Sequence, residues 1–266
     1  MPTPQQTELI ERAAAVAAAD DRVLAAWLGG SFGNGTADDY ADIDLHLLVA
    51  DEAFDDFRTG WIDLVATITP TVSTKPIAGL VGGYAITPDW QHIDVVCHRR
   101  TGFDPASLLG CRPLFDDTGL LPTEPTPGPS PIGAPYFPAD AVNFYFYLLG
   151  NLCVVLGRGE LTLAGNGAIA RRDIGLVPLM LAENGVRKSD GNKRLNPYLT
   201  PEQRDVLNGL PPLSPDRESI IAFDRAIAVE VIRRGRALAA ATGAEWPVEF
   251  ERATCAYVGR ELGMQL

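Results

Sequence analysis

Cysteine and histidine are scarce in this chain, and neither is spaced for a structural metal. The 266 residues include four cysteines and three histidines. Cys97, Cys111, Cys153 and Cys255 are scattered, with no C-x-x-C pair and no histidine set at zinc spacing, so neither a zinc module nor a disulfide framework is expected. The thiols read as buried or incidental groups in a reducing compartment. No leader is expected either: Met1-Pro2-Thr3-Pro4 runs into a polar, Ala-rich segment without a basic or an apolar region. No stretch approaches the ~18 uninterrupted apolar residues of a membrane span. A cytoplasmic location without a membrane partner is the expectation.

Positive charge is short in one half. The net charge is −12. Residues 1–121 hold 18 of the 34 Asp/Glu but only 7 of the 22 Lys/Arg, which leaves −11 there and −1 in the remainder. Such a surface repels a phosphate backbone, and no Lys/Arg stripe is present to track one, so a nucleic-acid partner is not expected. A small cationic molecule suits it better. There is no internal repeat.

What is present is a chain that is 46% hydrophobic, with clear periodicity. Leu9, Ile10, Ala13, Ala14, Val16 and Ala17 predict a helix over 5–19. The apolar run 23–28, closed by Gly29-Gly30, predicts a buried strand entering a tight turn, and 43–49 a second strand. Helical spacing returns over 51–68. Segments 79–87 and 93–97, joined by Pro88-Asp89-Trp90-Gln91, predict a β-hairpin, and 112–115 one more short strand. Residues 122–138 contain seven prolines, which forbid a helix or central strand and predict an extended, stiff connector. Beyond it the pattern is helical. The expected class is α+β: a mixed sheet with flanking helices in a domain of residues 1–121, then a Pro-rich linker at 122–138, then a helical domain over 139–266.

The chemistry concentrates between Leu28 and Leu45. Period two on a strand turns Asp42 and Asp44 to one face and Ile43, Leu45 and Leu47 to the other. Two carboxylates one pleat apart repel unless a cation screens them, and magnesium suits few carboxylates combined with substrate phosphates. Gly29 and Gly30 let the backbone approach a phosphate closely, and Ser31 offers a hydroxyl donor. In the hairpin, Asp94 shares a face with His92, Val96 and His98, and beside the Asp42/Asp44 strand it would complete a three-carboxylate cluster. Two metal ions held there would activate a hydroxyl and stabilise a departing pyrophosphate.

Gly30-Ser31, ten residues, Asp42-x-Asp44 and then a hairpin aspartate resemble the nucleotidyltransferase superfamily of DNA polymerase β. The size and the trailing helical half resemble its bacterial antibiotic nucleotidyltransferases, which act on aminoglycosides or lincosamides. The resemblance covers residues 23–98. It implies a nucleotidyltransferase-type sheet, a helical substrate-binding domain and an active site in the cleft between them. It also implies Mg2+, with two ions, and ATP or another NTP as co-substrate. By it, Asp42 and Asp44 are metal ligands, Asp94 is the third ligand or the general base, and Gly30 and Ser31 hold the triphosphate. The activity implied is transfer of AMP from ATP to a hydroxyl of a small cationic antibiotic, releasing pyrophosphate. Ala41 departs from the pattern, because many members carry Ser or Thr there. A metabolite or protein acceptor, and a non-catalytic binding or antitoxin-like module, are the other functions compatible with the sequence.

Neighbouring residues read more plainly. Asp38 and Asp39 are expected as exposed loop acids, and His46 and His98 as hydrogen-bonded structural residues. Arg158, Arg171, Arg172, Lys188, Lys193 and Arg194 are the cations of the helical half considered for phosphate, although solvated helix surfaces carry such residues anyway. Phe144 to Tyr147 are expected in the core.

Overall fold

The computed structural model describes residues 1–128, 130, 132–187 and 194–266. The chain divides into two compact units, Met1–Pro129 and Ser130–Leu266. The first opens with α1 (Pro4–Ala18), which starts on a capping box: Thr3 Oγ1 accepts from the Gln6 N–H at 3.1 Å, and Gln6 Oε1 accepts from the Thr3 N–H at 2.6 Å. Then follow β1 (Val23–Leu28), the single turn α2 (Gly30–Gly33), β2 (Ile43–Val49) and α3 (Phe57–Ile68). Strands β3 (Ser73–Pro76), β4 (Val81–Ile86), β5 (His92–Arg99) and β6 (Arg112–Asp116) complete the unit.

The six strands form one mixed sheet in the order β3-β4-β5-β2-β1-β6. Its β2–β5 pair is parallel and the other pairs are antiparallel. Leu9, Ile10, Ala13 and Ala17 of α1, with Phe57, Trp61, Leu64 and Val65 of α3, pack on the side chains that β1, β2 and β5 turn to that side. This core is what fixes the direction of the strands' other side chains. A smaller cluster of Ala25, Trp27, Leu48, Cys111 and Leu121 lies apart from it.

Two local differences from the sequence pattern have physical causes. Residues 51–56 turn instead of starting α3. Asp51 is occupied elsewhere: its carboxylate accepts from the Thr101 N–H at 2.8 Å and the Thr101 hydroxyl at 2.5 Å. Strand β3 has no apolar alternation to announce it; it is a four-residue edge strand containing Lys75 and Pro76, residues that blunt an edge.

The second unit is helical: α4 (Ala139–Gly157), α5 (Leu161–Arg171), a π-helical stretch over Arg172–Leu176, α6 (Val177–Glu183), α7 (Pro201–Asn208), α8 (Arg217–Thr242) and α9 (Val248–Leu262). Its core gathers Tyr145, Phe146, Leu149, Leu152, Leu176, Met180, Ile220, Ile227 and Val231. By length and composition alone, α4 is long and apolar enough to cross a membrane, with a mean hydropathy of 1.4. It passes that test although Asp140, Asn143 and Asn151 interrupt its apolar run, and its Val142, Tyr145, Phe146, Leu149 and Leu152 are buried in this unit.

Non-proline residues of the proline-rich stretch make hydrogen bonds within each unit. On the first side, the Thr126 N–H donates to the Cys111 carbonyl at 2.8 Å and the Gly110 N–H to that of Pro127 at 3.2 Å. On the second, the Gly133 N–H donates to the Gly185 carbonyl at 2.8 Å, and Arg187 stacks over the Tyr136 ring at 4.0 Å. Proline lacks a donor but keeps its carbonyl, so interspersed non-proline residues can still tie the segment down.

Candidate active site

The parallel pairing of β2 and β5 sets Ile43 beside Ile93 and Asp44 beside Asp94. Ile43 and Ile93 are buried in the core under α1 and α3. The alternate residues therefore emerge on the opposite face, and one step back in the same register Asp42 meets His92. Four side chains, Asp42, Asp44, His92 and Asp94, thus form a square at the N-terminal ends of two parallel strands. Adjacent strands stand ~4.8 Å apart, so the square is small.

Three of its corners converge. One carboxylate oxygen each from Asp42 and Asp94 and one ring nitrogen of His92 all lie within 4.8 Å of one another, a group that can hold a metal ion. His92 Nε2 is 3.0 Å from Asp94 Oδ1, and the Tyr84 ring meets the His92 ring edge-on at 5.7 Å. Carboxylates this close raise each other's energy, and a divalent cation with oxygen ligands offsets that cost. His92 was not singled out by the sequence argument. The information was there, since the alternation that directs Asp94 directs His92 two residues earlier.

Asp44 faces its own strand's neighbour. Its backbone carbonyl accepts from the Gly29 N–H at 2.9 Å, and its carboxylate lies against Gly30. A β-carbon on Gly30 would stand 1.9 Å from Asp44 Oδ2, and one on Gly29 would stand 2.6 Å from His46 Nε2. Gly30 also has φ +52°, where a side chain is strained. Both glycines are thus required by the closeness of the turn to the β2 side chains. Next to them, Ser31 Oγ is buried and has no hydrogen-bond partner among the described residues.

The loop between α2 and β2 is tethered from α1. Buried Gln6 donates through Nε2 to the Ala41 carbonyl at 2.8 Å. Asp38 accepts from the Tyr40 N–H at 3.0 Å, and exposed Asp39 pairs with the N-terminal ammonium at 3.2 Å. Ala41 packs against the core, which suits its apolar side chain.

Further along the same face, His46 Nδ1 and His98 Nε2 are 2.9 Å apart. Both rings stack with Trp27, at 5.2 and 5.0 Å between centroids. Burial and the neighbouring His98 push the His46 pKa down to about 4, and burial lowers that of His98. The pair is neutral near pH 7, and one ring donates to the other. A cavity of about 540 Å³ opens beside it, bounded by Gly29, Gly30, Arg99, Phe103 and Asp104 as well.

The cations considered in the second unit separate. Arg171 is buried and forks onto Asp224, with Nε–Oδ1 at 2.6 Å and a second bond at 2.7 Å, so it belongs to the core. Arg172 pairs with Asp173 at 2.8 Å. Arg158 is an exposed C-cap of α4, Arg194 is only partly exposed, and Lys188 and Lys193 lie outside the described residues. The aromatic run divides: Tyr145 and Phe146 are buried, while Phe144 and Tyr147 are exposed and stack on each other at 5.9 Å.

No protein-family profile matches the chain, and no curated protein sequence matches it. Among solved structures, the crystal structure of an aminoglycoside 6-adenyltransferase from Bacillus subtilis is similar over 94% of this chain and 96% of that one, at 14% identity and a TM-score of 0.42.

Proposed function

We propose that this chain is a divalent-cation-dependent nucleotidyltransferase. In this reading it moves a nucleoside monophosphate, AMP from ATP foremost, onto a hydroxyl of a small cationic acceptor of the aminoglycoside or lincosamide type. The observation that carries the reading is the square of Asp42, Asp44, His92 and Asp94, with the Gly29-Gly30-Ser31 turn closed down against one of its corners.

The donor set fits a divalent cation, since charged oxygens from two strands converge on one small space. Asp42 and Asp94 would hold it, with Asp44 on the same face one pleat along from Asp42. When bound, such a cation neutralises phosphate charge and makes an acceptor hydroxyl more acidic. The Ser31 hydroxyl beside Gly30, without a hydrogen-bond partner among the described residues, is available to a phosphate oxygen. The acceptor oxygen forms a bond to the α-phosphorus, and the bond from that phosphorus to the bridging oxygen breaks. Pyrophosphate leaves with the bonding pair, and the acceptor proton passes to Asp94 or to water. Alignment and charge stabilisation supply most of the rate in such a transfer. The acidity of residues 1–121 favours a cationic acceptor.

The test is pyrophosphate release by the purified chain with Mg2+ or Mn2+, each of the four common NTPs, and panels of aminoglycosides and lincosamides. The acceptor should gain the mass of a nucleoside monophosphate, and Asp42→Asn should remove the signal. No release from any pair, together with no NTP-dependent rise in Tm, would sink the reading.

A further inference from the structure

The cation corner contains a nitrogen where oxygens alone were expected. We infer that His92 Nε2 is a direct ligand of the bound cation, making this a mixed nitrogen–oxygen site that favours a first-row transition dication over Mg2+. The inference rests on the proposed cation site and assigns its third ligand and its metal preference.

Distance comes first. Donors around one cation with bonds of ~2.1 Å stand at most about 4.2 Å apart. The Asp42 oxygen, the Asp94 oxygen and the His92 nitrogen are all within 4.8 Å of each other, so modest side-chain rotations bring them into one coordination sphere. The backbone already aims these donors: His92 and Asp94 are alternate residues of β5 on one face, and Asp42 enters β2 opposite His92.

The fourth residue of the square points elsewhere. Asp44 is turned toward the glycine turn, with its Oδ2 in the space a Gly30 side chain would take. The converging set is completed by the imidazole. His92 is held there by the 3.0 Å contact to Asp94 and by the Tyr84 edge. Its side chain is half-buried, with one edge left open toward the Asp42 and Asp94 carboxylates.

Magnesium takes oxygen ligands and keeps much of its water, whereas imidazole nitrogen suits borderline transition ions. Coordination through Nε2 leaves the ring proton on Nδ1 and exchanges the His92–Asp94 hydrogen bond for two bonds to one ion.

The experiment uses the full chain and Mn2+ alone, at about pH 8, above the ordinary imidazole range. Pulsed EPR of bound Mn2+ should show nitrogen-14 modulation from one imidazole. His92→Gln should still bind Mn2+, without the modulation and with affinity weakened on the order of tenfold. Mg2+ affinity, read by competition, should change by less than about threefold, so that the Mn2+/Mg2+ preference collapses. His46→Gln should keep the modulation. Bound Mn2+ without nitrogen modulation in the wild type, or modulation surviving in His92→Gln, overturns the ligand assignment and leaves the cation site standing. Failure to bind Mn2+ at all, or binding indifferent to Asp42→Asn, removes the cation site and the inference with it.

Discussion

The carboxylate of Asp44 fills the space that a side chain on Gly30 would need. A β-carbon there would stand 1.9 Å from Oδ2, and the residue's φ of +52° disfavours one independently. Gly30→Ala therefore has to displace Asp44 or distort the turn. The left-handed backbone alone costs about 1–2 kcal/mol, and a misplacement of ~1 Å at a reacting centre costs about a hundredfold in rate. The variant is expected to keep its far-UV spectrum, to melt a few degrees lower and to lose about a hundredfold in turnover. Unchanged pyrophosphate release would show that the closeness of residue 30 to Asp44 is immaterial.

Substituting Asp42 or Asp94 separates electrostatics from folding. Without a cation the two carboxylates oppose each other, and Asp42→Asn or Asp94→Asn removes one of them. Adding divalent cation should raise the Tm of the wild type and leave the variants nearly unmoved, since only a folded site binds it. An equal rise in all three would locate cation binding elsewhere on the chain.

The His46–His98 pair makes stability pH-dependent in a definite direction. His46 takes up a proton near its ordinary 6.5 when unfolded and only near 4 when folded. The unfolded state therefore binds more protons between those values, and stability falls as the pH drops through that window. The size is at most about 3 kcal/mol for His46, and His98 shifts in the same sense. Urea denaturation from pH 7 to 4 should show a shallower loss for His46→Gln than for the wild type. An identical slope would mean that the imidazole protonates without penalty.

Arg171 and Asp224 form a buried fork in the second unit, with bonds of 2.6 and 2.7 Å. Burial raises the Asp224 pKa while the guanidinium opposes that shift, so each partner depends on the other. Asp224→Asn or Arg171→Met alone should cost about 3–5 kcal/mol, and the apolar double replacement Arg171→Met with Asp224→Leu should cost less than either. Chemical denaturation measures all three. A small loss in the single variants would mean that water reaches the pair.

The sequence made the apolar strands of the first unit and the faces of their acids legible, because an apolar alternation of two residues is a local property. Asp42, Asp44 and Asp94 could be assigned faces without coordinates. The β4–β5 hairpin was readable for the same reason, but a hairpin says nothing about the strand on its far side. That β5 lies parallel to β2, bringing Asp94 beside Asp44 and His92 beside Asp42, depends on packing between segments distant in sequence. The burial of Arg171 was hidden similarly: a helical arginine looks solvated until the acid 53 residues away is brought to it. Strand β3, polar and four residues long, has no pattern to read.

The parallel register of β2 and β5 is enforced from behind, by Ile43, Leu45 and Leu47 on one strand and Ile93, Val95 and Cys97 on the other, all buried. A slip of one position would turn His92 and Asp94 inward and present greasy side chains to the solvent. The aim of the polar quartet is consequently guaranteed by aliphatic neighbours that never touch a ligand. Its tolerance to mutation is therefore set on the reverse of the sheet.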